Sequence, residues 1–315
     1  MPHHGVDQQN KETTKLRIVL DGSAAAGDGK SLNDNLFKGV TSWDSWTLLH
    51  KFRQGPFALS ADIEKAFLMI EVDENDRDAL RFLWIDEKGE NLRVFRFCRV
   101  PFGLSCSPFL LFVVIQHHLQ VMSKVFPEMT QFMRDKFYVD DLLAATFSAA
   151  QLEEIKSDCK AIMERAGMNL TKWRTNCTAL DQQWAPEGKE AIEPLGVKWT
   201  LGADCLSVTP VSKVPKAINT KRDLSSLLSS IYDPLGIVHA YVVSFKIALS
   251  ECWQINRDWD SQISEEIKKR VNELLRDIDL ITEPAIPRWI GSNNGDSSTL
   301  HVFTDASEKA IGSVF

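Results

Sequence analysis

The chain of 315 residues has no long apolar run. Its longest, PFLLFVVI at 108–115, spans eight residues and is followed by Gln116, His117 and His118. A membrane-crossing helix needs about 20 apolar residues, so none is expected. The amino-terminal stretch MPHHGVDQQNK has no apolar core, which excludes a secretory signal there. Cysteine is sparse: Cys98, Cys106, Cys159, Cys177, Cys205 and Cys252 are scattered with no CxxC pair. Such usage argues against a zinc site and for reduced thiols in an intracellular protein. The His117-His118 pair lacks metal-ligand spacing and falls within a helical pattern. There is no excess of positive charge either, since the net charge is −7. Nucleic-acid binders are usually basic, so tight autonomous binding is not expected of the whole chain. Basic residues gather only locally, at Lys11, Lys15 and Arg17 and again at Lys213, Lys216, Lys221 and Arg222. Internal repeats and low-complexity segments are absent.

What is present is ordinary globular composition, 44% hydrophobic and 25% charged, at a length that suits two or three domains. LRIVL at 16–20 reads as a buried strand and FALSADI at 57–63 as a second. Two apolar runs around KGEN read as a hairpin over 79–100. Ser107-Pro108 reads as an N-cap with proline at the first helical position, opening a helix to about residue 125. KFYVDDLLAAT reads as strand–turn–strand, and an amphipathic helix follows at 149–166, stopped by Gly167. MNLTKW and PLGVKWTL are further strands; beyond 205 the pattern turns helical, at 221–232, 238–256 and 262–281. Strands and helices mix without strict alternation, so the fold class expected is α+β.

Three stretches carry chemistry. KFYVDDLLAAT sets Asp140 and Asp141 side by side in an apolar run, where adjacent carboxylates are costly unless something neutralises them. The plain alternative is a solvated hairpin turn, which Asp favours. ALSADIEKAFL ends an apolar strand in Asp62, with Phe67 five residues on. RVPFGLSCSPFLLF puts a Pro-x-Gly turn just before a helix, a place where backbone can approach a ligand closely. Asp62 and Asp140 lie 78 residues apart, each at a strand–loop junction, with the turn between them. Two strands of one sheet would bring them together. Carboxylates suit the hard cation Mg²⁺, and two such ions roughly 3.5–4 Å apart form a two-metal phosphoryl-transfer site.

At this point the chain resembles a reverse transcriptase of the retrotransposon type, of the BEL/Pao group. The segments that carry the resemblance are PHHGV, TTKLRIVLDGSA, ALSADIEKAFL, RVPFGLSCSPFLL, FYVDDLL, PLGVKW, YDPLGIV, AIPRW and FTDASEKAIGSV, in the family's order. The resemblance implies a right-hand polymerase. Fingers and palm would fill 1–201, a mainly helical thumb or connection region 202–296, and the first strand of a truncated ribonuclease H domain 297–315. It implies that Asp62, Asp140 and Asp141 are the catalytic, metal-binding carboxylates, holding two Mg²⁺, with Mn²⁺ a substitute. Phe67 matches the bulky residue that excludes a ribose 2′-hydroxyl; its plain alternative is a core aromatic. Arg17 and Lys15 match basic residues that hold the triphosphate, and Lys172 sits where the family has a lysine near it. Phe102 and Gly103 match the turn that packs on the nucleotide, with Phe102 where many retroviral enzymes carry Gln. Leu195 and Gly196 resemble the hairpin that positions the primer end.

Two departures stand beside this. Asp305 in FTDAS resembles the first metal ligand of a ribonuclease H fold, but the sequence ends at Phe315, before the other carboxylates. The fingers also start late, so the chain reads as a fragment of a Pol polyprotein. LDGSA at 20–24 resembles an aspartic-protease loop only with glycine and hydroxyl transposed. The implied partners are an RNA or DNA template with primer, deoxynucleoside triphosphates and the rest of the polyprotein, with no membrane. The implied location is intracellular, in a cytoplasmic particle or the nucleus. The rival reading is an inactive retroelement remnant with a binding role or none.

Overall fold

The computed structural model describes residues 1–7, 16–27, 29–40, 44–85, 89–211, 214–255, 258–291, 299 and 301–314. Lys11, Lys15 and Lys213 lie outside the described residues, and Arg17 lies on a strand whose side chain at that position is not described.

The central sheet has four strands in the order Phe137–Tyr138, Asp141–Thr146, Phe57–Ile63, Leu170–Thr175. Its apolar residues explain it: Ala58, Leu59, Ala61, Ile63, Leu142, Leu143 and Ala144 are all buried. A second four-stranded sheet runs Ala285–Pro287, Cys205–Val208, Val197–Thr200, Ala191–Ile192. Its pairs are antiparallel, with Trp199 opposite both Leu206 and Ile192.

The chain divides into two compact units, one of Met1–Asp44, Ala61–Leu142 and Glu153–Lys172, the other of Ser45–Ser60, Leu143–Leu152 and Trp173–Phe315. In the first, His3–Asp7 pairs with Leu16–Leu20 and Arg81–Ile85 with Leu92–Arg96, each as an antiparallel hairpin. The Leu16–Leu20 strand is less buried than its apolar sequence suggests: Leu20 is buried but Ile18 is half exposed, because only one strand covers it. The helix Ser107–Met122 buries Leu111, Ile115 and Leu119 at i, i+4 and i+8. Ser107 is its first residue and not its cap. The N-cap is Cys106, and Ser107 Oγ instead donates to the Pro101 carbonyl at 2.9 Å.

In the second unit the helices Lys221–Ser230, His239–Ile255 and Glu265–Leu275 enclose an apolar core built on Leu224, Phe245, Ala248 and Val271. Thr220 and Asp223 form a capping box on the first, and Ser264 caps the last. The last stretch holds two strands, Phe303–Ala306 and Ile311–Val314, where the sequence suggested a single first strand. Asp305 pairs with Gly312, and both strands are exposed throughout. Hairpin pairing satisfies one edge locally but buries no core.

Arg288 ties the second sheet to the 52–56 loop. Its side chain is fully buried, and its Nε and Nη2 meet both Asp204 carboxylate oxygens at 2.7 and 2.9 Å. It also donates to the carbonyls of Phe52, Gly55 and Pro56. Phe52 and Trp199 lie around the guanidinium.

Candidate functional site

The Phe57–Ile63 strand ends at Asp62, and its burial pattern keeps Ala61 and Ile63 inside while Asp62 is only partly covered. Beside it, Phe137–Tyr138 and Asp141–Thr146 form a hairpin in which Tyr138 pairs with Asp141. Val139 and Asp140 are therefore the two turn residues. Val139 has φ +54°, the left-handed value a type II′ turn needs at its first central position. For a β-branched residue that conformation is strained and is held by its surroundings. Nothing in the periodicity of the sequence signals it.

The two carboxylate-bearing segments are joined through the backbone. The Ile63 amide donates to the Asp140 carbonyl at 2.9 Å. On the other side the Glu64 amide donates to the Asn169 carbonyl at 2.9 Å, and Thr171 Oγ1 donates to the Asp62 carbonyl at 3.3 Å. Asp62 is thus fixed between the hairpin turn and the 169–172 segment. Lys172 has φ +55° within its strand, and its Nζ lies 3.1 Å from Asp62 Oδ1. Asp140 and Asp141 are both partly buried. Among the described residues, no group of three or more His, Cys, Asp or Glu side chains is close enough to hold a metal ion. Asp140 and Asp141 stand at the hairpin and Asp62 on the strand beside it, and carboxylates are the ligand type a hard divalent cation prefers.

Phe67 and Phe102 meet edge to face, with ring centroids 5.2 Å apart. Phe67 is half-buried and Phe102 is exposed. Gly103 has φ +93°, and a Cβ there would fall 2.2 Å from the Leu20 carbonyl oxygen, so only glycine fits. Asn33 holds the same turn. Its Nδ2 donates to the Gly103 carbonyl at 3.0 Å, and its Oδ1 accepts from the Ser105 amide at 2.8 Å. Sequence reasoning missed Asn33. The readable signal was the Ser31-x-x-Asp34 capping box, which sets the short helix Leu32–Asn35 that carries it.

In the second unit, Leu195 and Gly196 follow one another at φ +51° and +77°. Leu195 is buried, and Thr209 Oγ1 donates to the Gly196 carbonyl at 2.9 Å.

The fold is that of viral reverse transcriptases. A foamy viral protease-reverse transcriptase in complex with double-stranded DNA superposes with a TM-score of 0.63 at 17% identity, over 97% of this chain and 47% of that one. The foamy viral enzyme in complex with an RNA/DNA hybrid gives 0.55 at 15% identity, over 86% and 33%. Residues 21–199 match the family model described as reverse transcriptase (RNA-dependent DNA polymerase), more than half of the chain, and the chain belongs to that family. Residues 220–315 match the model of a Pao retrotransposon-like RNaseH-like domain, which bears out the resemblance read from the motifs. A curated relative, the Gag-Pol polyprotein of Avian leukosis virus subgroup A (isolate RSA), is 29% identical over 111 residues. That alignment covers 35% of this chain and 7% of the polyprotein, so the chain spans a small part of its curated relative. No described helix is long and apolar enough to cross a membrane.

Proposed function

We propose that this chain is the RNA-directed DNA polymerase portion of a BEL/Pao-like retrotransposon Pol polyprotein. The observation that carries the reading is the hydrogen bond from the Ile63 amide to the Asp140 carbonyl, which sets the Asp62 strand end beside the Asp140-Asp141 turn within the family-matched region.

In this reading Asp62, Asp140 and Asp141 would hold two Mg²⁺, or Mn²⁺ in substitution. When bound, the ions would supply charge neutralisation at the triphosphate and acidity at the primer 3′-hydroxyl. The hydroxyl oxygen bonds to the α-phosphorus of a deoxynucleoside triphosphate, its proton passes to solvent water, and the bond from that phosphorus to the bridging oxygen breaks so that pyrophosphate leaves. Phe67 excludes the 2′-hydroxyl of a ribonucleotide, and the Phe102-Gly103 turn packs on the incoming nucleotide. Arg17, Lys15 and Lys172 serve the triphosphate; a guanidinium suits phosphate oxygens in particular. Leu195 and Gly196 position the primer end. The template is RNA or DNA, and the working site is a cytoplasmic particle or the nucleus.

Fingers and palm occupy 1–201 and a thumb- or connection-like region 202–296, with a ribonuclease H-like start at 297–315 around Asp305. The Pao-type model runs from 220 to 315, across the later part of the helical region and the terminal stretch. The test is oligo(dT) extension on poly(rA) with Mg²⁺. The wild-type chain is expected to extend the primer, and Asp140→Asn to abolish extension while leaving the fold intact. No extension by the wild type would leave the inactive-remnant reading in its place.

A further inference from the structure

Gly196 has an aromatic lid that the reading above does not use. A Cβ built on Gly196 would meet Tyr232 Cδ1 at 3.1 Å and Cε1 at 3.3 Å, so the tyrosine ring lies against the glycine backbone. Both residues belong to the same compact unit. Tyr232 is nevertheless 45% exposed, and among the described residues its hydroxyl has no hydrogen-bond partner. Covering a glycine would need only a buried aliphatic side chain.

The mount is rigid on both sides. Ile231, just before, is buried in the helical core. Asp233, just after, accepts from the amides of Ile237 and Val238 at 2.8 and 2.9 Å. On the other side, Thr209 ties down the Gly196 carbonyl. A lone exposed aromatic is common on protein surfaces. One held between a buried neighbour and a capped turn, and partly exposed beside a glycine hairpin, is placed to serve as a stacking platform. Every base has a π-face, so such a platform takes nucleotides without regard to sequence.

Resting on the polymerase reading, we propose that Tyr232 is a primer-positioning residue: its ring, backed by Gly196, stacks on a base near the primer 3′ end. Stacking on one aromatic side chain is worth about tenfold to a hundredfold in affinity for nucleic acid.

The experiment uses the full chain and an oligo(dT)–poly(rA) duplex, with a second primer–template pair in which a 2-aminopurine at the primer 3′ terminus lies opposite uracil in the template. Tyr232→Ala is expected to raise the Kd for primer–template roughly tenfold, and to restore 2-aminopurine fluorescence that the wild type quenches. The KM for deoxynucleotide and the melting temperature should stay near wild type. Tyr232→Phe should keep both binding and quenching. Tyr232→Leu still covers Gly196 but has no π-face, and should behave like Tyr232→Ala. Leu binding and quenching as well as wild type would overturn the inference and leave Tyr232 a cover for the glycine. Wild-type binding and quenching without extension would overturn the polymerase reading alone, since neither readout needs turnover. Absence of any primer–template binding by the wild type would overturn both.

Discussion

Lys172 Nζ lies 3.1 Å from Asp62 Oδ1, so a cation on the neighbouring strand neutralises the carboxylate at the end of the Phe57–Ile63 strand. The lysine side chain is 69% exposed and the aspartate 24%. A pair this open to solvent is worth about 0–1 kcal/mol, and it yields easily to a stronger partner. A divalent ion held at Asp62 would displace Lys172, which would then be free to reach the triphosphate. Lys172→Met is therefore expected to lower the Mg²⁺ concentration for half-maximal extension. It should also raise the deoxynucleotide KM roughly tenfold, the loss of one charge-assisted contact. Steady-state extension titrated in Mg²⁺ and in nucleotide separates the two effects, and an unchanged Mg²⁺ dependence would contradict the exchange.

Phe67 is expected to act on sugar choice through its contact with Phe102. The edge-to-face pair contributes about 0.5–1.5 kcal/mol beyond burial, so Phe67→Ala should cost little more than modest stability. Discrimination against ribonucleotides should fall by roughly tens-fold, with deoxynucleotide incorporation largely kept. Incorporation assays with matched deoxy- and ribonucleotides measure it. Unchanged discrimination would return Phe67 to the role of a core aromatic.

Asn33 and Gly103 fix the same turn by different means. Gly103→Ala drives a Cβ to 2.2 Å from the Leu20 carbonyl and strains a φ of +93°. A loss of about 1–3 kcal/mol from the backbone strain alone is expected, read as a lowered denaturation midpoint. Asn33→Ala removes the donor to the Gly103 carbonyl and the acceptor for the Ser105 amide. Its expected signature is a several-fold rise in deoxynucleotide KM with primer–template Kd unchanged. Equal losses in both would assign Asn33 to general stability.

Arg288 is a stability residue of the second unit. Replacing it with Ala leaves the Asp204 carboxylate beside Trp199 and Asn176 without its cation. Breaking a buried pair costs about 3–5 kcal/mol, and with Asp204 a quarter exposed the loss is expected at the lower end of that range. Arg288→Lys should recover little, because an ammonium cannot span two carboxylate oxygens and three carbonyls at once. Chemical denaturation of the three proteins checks the order.

Much of this was legible because it is local. Short apolar runs bounded by turn residues marked the Phe57–Ile63 strand and the hairpin around Asp140, and the amphipathic spacing of residues 149–166 matched the helix Ala150–Glu164. The FTDAS strand was legible too, but not its partner Ile311–Val314, which is short and has no buried face to pattern it. Ser107 was misread as a cap because a Ser-Pro pair has the same sequence signature whether serine caps the helix or begins it.

The amino-acid sequence by itself determined which carboxylates stand at strand ends, which glycine turn lies between them, and which family the chain belongs to. Each depends on residues a few positions apart, where periodicity and turn chemistry act. Only the tertiary structure decided that Lys172 reaches Asp62, that Asn33 clasps the Gly103 turn 70 residues away, and that Arg288 is buried against carbonyls more than 230 residues upstream. Those partners are chosen by which strands lie side by side and by where a buried charge must find its counter-ion. No local pattern encodes either.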